Sequence, residues 1–425
     1  MNSRAAYVYG YTIRAIRLTS MRLQARVSSV CLLAFCSALV WAEDFGLDLK
    51  TILQIAERNN LELRVARQQR AIAVAGITVA KQFINPTVTA SVSRDAPHEG
   101  VLLGETFEWG GKRGKRIAIA REEQKATEID IGILERQIRQ RTREAFYRVL
   151  WSREQTGQAK AALDLATRIR DVVNERYQLG DVAQLEVIQA EVEWARTAAE
   201  YQVAQQTQKT ADAQFAALLS RPLETPIDLR GALADIPQRP QQQAIVDTAL
   251  RSNAELQKTT QDLQVEQRRL ELARAQRIPN LDVQAGVDLN APHDYRVGPR
   301  GQIGMQLPLL YRGQGEIAQS NARLELLRLT LEAQKTLATA EGLSAYFDYL
   351  AKAQEAEQYR ANIVPQSVHL EDMAEESYRA GKSNLLTLID VQRKLNETRK
   401  AYLDSLLAAQ SAFAALEESV GTALD

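Results

Sequence analysis

Few side chains in this sequence could bind a metal or perform catalysis. The chain has three histidines, and two of them lie in similar segments, Ala96-Pro97-His98-Glu99 and Ala291-Pro292-His293-Asp294. A histidine beside a carboxylate is a plausible metal-ligand pair, but polar hairpin loops routinely carry such residues. No phosphate-cradling glycine loop and no metal-ligand spacing is present. The sequence therefore predicts no enzyme, no metal site and no cofactor.

The charge of the chain is balanced. Lys plus Arg and Asp plus Glu each number 53, so no global field attracts nucleic acid or an acidic partner. A charged fraction of 25% excludes a helical membrane protein with several spans. With 425 residues, the chain is long enough for two or three ordinary domains.

An uncharged apolar run near the N-terminus predicts export. It extends from Val27 to Ala42 and follows Arg22 and Arg26, which gives the charged, apolar and small-residue regions of a secretory signal. The run is too short to be read first as a membrane span. We expect residues 1–42 to be the signal peptide, with Met21 as a possible true start.

Both cysteines, Cys31 and Cys36, lie in this segment. The mature chain would therefore offer no disulfide and no thiol chemistry. Attachment of lipid to Cys36 is disfavoured, because Phe35 stands where a lipoprotein signal has a small residue.

Two stretches have the length and pattern of very long helices. No proline interrupts Lys115 to Leu179, and apolar residues recur there at helical spacing. About 65 residues make a rod of roughly 96 Å, too long for the core of a globular domain. A second stretch runs from Gly315 to Ala380. Both end in Tyr-x-x-Gly turns, where glycine can adopt the left-handed conformation that ends a helix.

The rods have the composition of coiled-coil walls, with charged residues on the solvated faces. The predicted apolar seam of the second rod contains Leu324, Leu327, Leu331, Leu343, Phe347 and Leu350.

The second half of the chain repeats the first. Residues 56–63 match residues 249–256 at an offset of 193, and the two turn glycines differ by 201. Each copy runs helix, strand, loop, strand, long helix, turn, medium helix. We divide the chain into a first repeat, residues 43–238, and a second repeat, residues 239–425, with the proline-dense stretch from Pro222 to Pro240 as the linker.

Each repeat is predicted to contain two β-strands, because its periodicity changes from 3.6 to 2 residues. In the first repeat the alternating segments are Val88–Val92 and Val101–Trp109, the latter interrupted by Glu105. In the second repeat they are Leu281–Leu289 and Ile303–Leu309. A soluble hairpin with one buried face would show the same alternation, so periodicity alone does not identify membrane strands.

The number of strands favours an oligomeric pore. Lipid offers no hydrogen-bond partner to an open strand edge, and single-chain membrane barrels start at about eight strands. Four strands must therefore be completed by other copies of the chain, and the rods would continue the barrel away from the membrane. A periplasmic coiled-coil scaffold without a pore is the alternative, but it does not need matching strands in both repeats.

This combination of features resembles the TolC-like outer-membrane efflux protein family. The resemblance rests on the repeat order, the two turns and the run Leu385-Leu386-Thr387-Leu388-Ile389-Asp390-Val391-Gln392, and it covers residues 43–425. Two corner motifs, where a predicted strand meets a long helix, look most like the CzcC-like heavy-metal cation efflux branch: Trp109–Arg113 and Pro308–Glu316.

The resemblance implies a mostly α fold with a small membrane β-barrel, built from two pseudo-repeats of helix, strand, strand, long helix and helix. A homotrimer would form a twelve-stranded barrel in outer-membrane lipid and a long α-helical tunnel in the periplasm. The tunnel would meet a periplasmic membrane-fusion adaptor and an inner-membrane pump of the resistance-nodulation-division type. Divalent or heavy-metal cations are the expected substrates; drug efflux and type I protein secretion are the alternatives within the family.

The resemblance also implies two kinds of site residue. Just beyond each turn the family carries acidic residues that narrow the tunnel, which match Glu186 and Asp390 here, with Thr387 where some members have another acid. Three-fold repetition makes each carboxylate a ring that favours cations, although solvated helix faces carry such residues as well. The turns would dock the adaptor through Tyr177, Leu179, Gly180, Tyr378, Ala380 and Gly381, unless the glycines serve only to reverse the chain.

Overall fold

The computed structural model describes residues 46–95, 97–222, 227–289 and 297–424. The predicted signal peptide and His293 lie outside these residues. The chain divides into two compact units, one of Met1–Asp48 with Pro226–Arg230 and one of Leu49–Thr225 with Gly231–Asp425. In the first unit Leu47 forms a parallel bridge with Leu229, so part of the predicted linker is paired.

The second unit contains the predicted helices and strands. In the first repeat they are α1 (Leu49–Asn59), α2 (Leu61–Ala80), β1 (Thr87–Val92), β2 (Glu99–Phe107), α3 (Lys112–Gln178) and α4 (Gln184–Leu218). In the second repeat they are α5 (Gln242–Ser252), α6 (Ala254–Gln276), β3 (Leu281–Leu289), β4 (Val297–Met305), α7 (Gln314–Gln358), a π-helical turn (Tyr359–Ile363), α8 (Val364–Arg379) and α9 (Leu385–Val420). None of the helices within the described ranges is long and apolar enough to cross a membrane.

The first rod is a single helix, as predicted. α3 has 67 residues, which corresponds to roughly 100 Å. The second rod differs from the prediction because the π-helical turn separates α7 from α8. There Val364 N–H donates to the oxygen of Tyr359, and Pro365 follows. Since proline has no N–H and its ring clashes with the preceding turn, Pro365 is the sequence signal of this interruption.

The seam of the second rod is partly different from the predicted one. Leu324 is buried, but the predicted seam residue Phe347 is 53% exposed. Tyr346 and Tyr349 are buried instead, and Tyr349 packs against Phe413 with ring centroids 5.2 Å apart. Around residues 346–349 the buried face of the rod is therefore not the face that the leucine spacing predicts.

An asparagine divides the opening helix of each repeat in two. Asn60 accepts a hydrogen bond from Leu63 N–H, and Asn253 accepts from Glu255 and Leu256 N–H. Asparagine is a favoured N-cap because its side-chain oxygen binds backbone N–H groups that the first turn leaves unpaired. The two asparagines occupy equivalent positions of the two repeats, so the repeat includes its helix caps.

The four strands form one antiparallel sheet in the order β1-β2-β3-β4. The pairing of β2 with β3 joins the two repeats, with Phe107 opposite Leu281 and Glu99 opposite Leu289. β1 and β4 are the edges. β4 extends from Val297 to Met305, so the predicted segment Ile303–Leu309 begins six residues too late and ends four residues too late. The first part of β4 contains Pro299 and two glycines and has no apolar alternation that could have indicated it.

One face of this sheet is mainly apolar and exposed, and Glu99 and Glu105 on β2 are its charged residues. Val88, Leu103 and Ile303 are 71%, 57% and 74% exposed, and the register places Leu103 between Val88 and Ala285. The opposite face is polar and crowded: a Cβ on Gly104 would lie 2.9 Å from Thr87 Oγ1.

The ends of α4 and α9 lead to a stability prediction. After α9, Gly421 has a φ of +83°, whereas Ser220, which occupies the equivalent position after α4, has a φ of +52°. Side chains other than glycine are strained there by about 1–2 kcal/mol. Ser220→Gly should therefore raise the free energy of unfolding by about 0.5–1 kcal/mol, once the greater freedom of glycine in the unfolded chain is deducted. Thermal denaturation of the purified protein measures this change.

The reciprocal variant Gly421→Ser is the control. It should destabilise the protein, because a Cβ at this position would overlap the carbonyl oxygen of Ser252. Equal melting temperatures for Ser220→Gly and the parent protein would show that the left-handed serine carries no strain.

Candidate functional site

The two Tyr-x-x-Gly turns have the same backbone geometry. Gly180 N–H donates to Tyr177 O at 3.0 Å and Asp181 N–H to Arg176 O at 2.9 Å. The corresponding two bonds of the second turn have the same lengths. Gly180 and Gly381 have φ values of +82° and +68°, and a Cβ on either would meet nothing within 4 Å. Their glycines are thus required by backbone conformation and not by close packing.

The two turns lie at the same end of the helices. A buried cluster just above them contains Val173 and Ala190 from the first repeat and Leu385 and Ile389 from the second. These side chains come from both helical hairpins, so the turns are held side by side. The structure therefore brings together the residues that the resemblance assigns to adaptor docking.

The two turn tyrosines have different surroundings. The hydroxyl of Tyr378 accepts a hydrogen bond from Arg176 Nη1 at 3.2 Å, and its ring packs against the buried cluster. Burial raises the pKa of Tyr378, Arg176 lowers it and the nearby carboxylate of Glu186 raises it again, with a net increase. Tyr177 is 44% exposed.

The other predicted docking residues are open to solvent. Leu179 is 72% exposed, and Ala380 is also exposed. An exposed leucine at a chain reversal contributes nothing to the packing of the monomer. It is available to a partner.

The three predicted constriction residues lie near the N-terminal ends of α4 and α9, Glu186 and Thr387 in the first turn and Asp390 in the second. Glu186 is half-buried, whereas Thr387 and Asp390 are exposed. Thr387 Oγ1 donates to Asn384 Oδ1 at 2.8 Å and is therefore part of the cap of α9. Asp390 lies 3.9 Å from the guanidinium of Arg393, which reduces its negative field.

A charged cluster near these residues was not predicted. Glu193 is 8% exposed and joins α4 to α9: it accepts hydrogen bonds from Arg196 at 2.8 Å and from Arg393 at 2.6 Å. Burial raises the pKa of Glu193, but the hydrogen bonds from the two guanidinium groups outweigh it, so the pKa is below its usual range. The i, i+3 spacing of Glu193 and Arg196 was a local signal, but Arg393 belongs to the other repeat and no local pattern connects it to Glu193.

The structure gives no support to the histidines as metal ligands. His98 is exposed at the loop between β1 and β2, and His293 falls outside the described residues. Within the described ranges no group of three His, Cys, Asp or Glu side chains could hold a metal ion.

The fold is that of outer-membrane channel proteins. CusC, whose crystal structures concern folding and transmembrane channel formation, superposes with a TM-score of 0.74 over 89% of this chain and 94% of its own, at 17% sequence identity. The CmeC outer membrane channel of Campylobacter jejuni superposes with a TM-score of 0.72 over 90% and 87% of the two chains, at 15% identity. Residues 245–422 match the model of the outer membrane efflux protein family. The match covers most of the second repeat, and the family is the one that the sequence resembles.

Two curated relatives extend over nearly the whole chain. The cobalt-zinc-cadmium resistance protein CzcC of Cupriavidus metallidurans is 22% identical over 88% of this chain and 90% of its own. The pyoverdine export outer membrane protein OpmQ of Pseudomonas aeruginosa is 25% identical over 90% of this chain and 86% of its own. The family is one of efflux channels and not of enzymes.

Proposed function

We propose that this chain forms the outer-membrane channel of a tripartite efflux system, a passive exit duct that catalyses no reaction. The observation that carries this proposal is the sheet: one face is mainly apolar and exposed, the other is polar, and β1 and β4 have no further strand partner among the described residues. A sheet of this kind is stable in lipid only when its edges are paired.

Repetition within the chain indicates how the edges close. The β2–β3 pairing joins the first repeat to the second, and the same pairing between chains would join β4 to β1 of the next copy. Three copies, the number that the family resemblance implies, give a closed barrel of twelve strands. A homotrimer in outer-membrane lipid therefore satisfies every strand edge.

The helices support the same assembly. α6 packs against both α3 and α7, whereas its counterpart α2 packs against α3 and leaves Val65 and Ile72 67% and 61% exposed. α7 in turn exposes Leu326 and Leu329. Packing α2 of one copy against α7 of the next would bury these side chains and would repeat the α6–α3 contact between copies.

The turns are the proposed periplasmic tip. Tyr177, Leu179 and Ala380 are exposed there and would contact a membrane-fusion adaptor, while Gly180 and Gly381 reverse the chain. Tyr378 would act indirectly, since it packs between the hairpins. Glu186, Thr387 and Asp390 would line the constriction, where three-fold repetition makes rings that favour cations. The pairing of Asp390 with Arg393 makes the negative field of the proposed Asp390 ring weaker than the sequence alone suggests.

Heavy-metal cations are the proposed cargo, delivered by an inner-membrane pump of the resistance-nodulation-division type. The resemblance of the corner motifs to the CzcC-like branch and the named function of the C. metallidurans relative support this assignment. The relative named for pyoverdine export shows a different cargo on the same fold. Drug efflux and protein secretion are accordingly the competing functions, and the pump is expected to determine which cargo enters.

Growth of a strain that lacks this protein tests the assignment. We expect sensitivity to graded zinc, cobalt, cadmium, copper or silver, restored by the intact gene, with unchanged tolerance of a panel of organic drugs. Sensitivity to drugs alone would contradict the metal assignment and leave the channel intact. Unchanged growth in both panels, in a strain with no second channel gene, would favour protein secretion.

A further inference from the structure

Unpaired cations are concentrated where the sheet meets the helices. We call this level the collar; it consists of residues 81–86, 107–116, 274–280 and 306–316. It carries eight basic and two acidic side chains. Both acids are already engaged, since Glu108 pairs with Arg116 and Glu316 accepts the hydroxyl hydrogen of Tyr311 at 2.6 Å. The collar therefore has a large local excess of positive charge in a chain of zero net charge.

The collar is one connected layer. Arg113 Nε donates to the oxygen of Lys81 at 2.7 Å, and Lys112 Nζ donates to Asn280 Oδ1 at 2.5 Å. All four segments adjoin the same end of the sheet, because Phe107, Leu281 and Met305 lie opposite one another. This is the end nearest the helices, opposite the β1–β2 loop.

Four cations of the collar have no carboxylate partner in the described part of the chain and are exposed: Lys81, Arg274, Arg277 and Arg312. Along the helices, by contrast, many arginines are paired, as Arg70 on α2 is with Glu128 on α3 at 2.5 Å. An ordinary solvated surface would alternate in sign as the rods do. The excess of cations at one level indicates an anionic partner.

The apolar face of the sheet continues into the collar. Trp109 lies two residues beyond Phe107, where β2 ends, and Leu309 lies four residues beyond Met305, where β4 ends. Trp109 is 59% exposed, Leu309 71% and Leu310 99%. Arg113 lies 4.0 Å from the centroid of the exposed Phe83 ring. Exposed aromatic and aliphatic side chains beside Lys and Arg are the arrangement that fits a membrane–water interface.

We propose that the collar binds the phosphate headgroups of anionic phospholipids in the periplasmic leaflet of the outer membrane. This inference rests on the proposed function, because it requires the sheet to lie in lipid. Trp109, Leu309 and Leu310 enter the acyl-chain boundary, while Lys81, Arg277 and Arg312 lie at phosphate depth. The collar thereby fixes the depth of the barrel and enriches anionic lipid around it.

Quenching of Trp109 by brominated lipids tests the collar. The intact chain with Trp151→Phe and Trp194→Phe keeps Trp109 as the tryptophan of the mature sequence, and circular dichroism verifies its folding. It is reconstituted in vesicles containing brominated phosphatidylglycerol or brominated phosphatidylcholine. We expect phosphatidylglycerol to be preferred around Trp109 by roughly five-fold for each cation that contacts a phosphate, and the preference to fall as salt is raised.

Two matched triple variants test whether the preference for phosphatidylglycerol comes from the collar. Lys81→Gln with Arg277→Gln and Arg312→Gln should reduce the preference to within about two-fold, if each cation contributes as an interfacial Lys or Arg does. Arg64→Gln with Lys209→Gln and Lys335→Gln removes the same charge from exposed helical positions and should leave the preference unchanged.

The outcomes distinguish a failure of the collar inference from a failure of the proposed channel. Equal quenching by both lipids, or equal loss of preference in both triple variants, would overturn the collar inference alone. Displacement of brominated phosphatidylcholine by lipopolysaccharide but not by phosphatidylglycerol would also overturn it, in favour of the other leaflet. Absence of quenching by either lipid would contradict the proposed membrane channel itself.

Discussion

Glu417→Gln should lower the free energy of unfolding by about 3 kcal/mol or more, because it removes one member of a buried ion pair. Arg143 on α3 and Glu417 on α9 form an ion pair in which the two side chains are 6% and 11% exposed. The guanidinium also lies 4.9 Å from the centroid of the Phe413 ring. This pair joins the long helix of the first repeat to the last helix of the second, so its loss should loosen the contact between the repeats.

Denaturant unfolding of the purified protein measures this effect. Glu418→Gln is the matched control, since it removes the same charge from the next residue, which is exposed, and should change stability by less than about 0.5 kcal/mol. The double variant Arg143→Met with Glu417→Leu should recover most of the loss, because it removes both buried charges together. Equal effects of Glu417→Gln and Glu418→Gln would show that the buried pair contributes nothing to stability.

Leu103→Arg should destabilise the lipid-inserted protein by about 2–4 kcal/mol, the cost of an arginine on the lipid face near the middle of a bilayer. Leu103 is the central residue of β2, between Val88 on β1 and Ala285 on β3, and it is 57% exposed. The proposed channel places this side chain among acyl chains. In a water-soluble scaffold the same substitution would be close to neutral, since surface changes usually stay within about 0.5 kcal/mol.

Gln302→Arg is the matched control for Leu103→Arg. Gln302 pairs with Gln284, which pairs with Gly104, so it lies at nearly the same depth but on the polar face. Urea unfolding from phospholipid vesicles should show a large loss for Leu103→Arg and a small one for Gln302→Arg. Equal tolerance of both substitutions would exclude a lipid-facing sheet and would favour the periplasmic scaffold.

The local features of this fold could be predicted from the sequence. Proline-free periodic segments specify α3, alternation specifies β1, β2 and β3, and the Tyr-x-x-Gly motif specifies the two chain reversals. Alternation identified only the last three residues of β4. The interruption of the second rod had a local signal in Pro365, and the divided opening helices had one in Asn60 and Asn253. These features depend on residues within about one or two helical turns, which is why periodicity and caps indicate them.

The surroundings of equivalent residues were decided by the tertiary structure alone. Tyr177 and Tyr378 occupy the same place in the same motif, yet only Tyr378 packs between two hairpins. The motif cannot distinguish them, because the contacts of Tyr378 come from residues of the other repeat, such as Arg176, whereas Tyr177 is 44% exposed. The Glu193–Arg393 contact likewise joins residues of different repeats. Residue patterns along the chain specify most of the helices and strands, the turns and their repetition. Which faces are buried, and which are left for a partner, depends on how one repeat packs against the other.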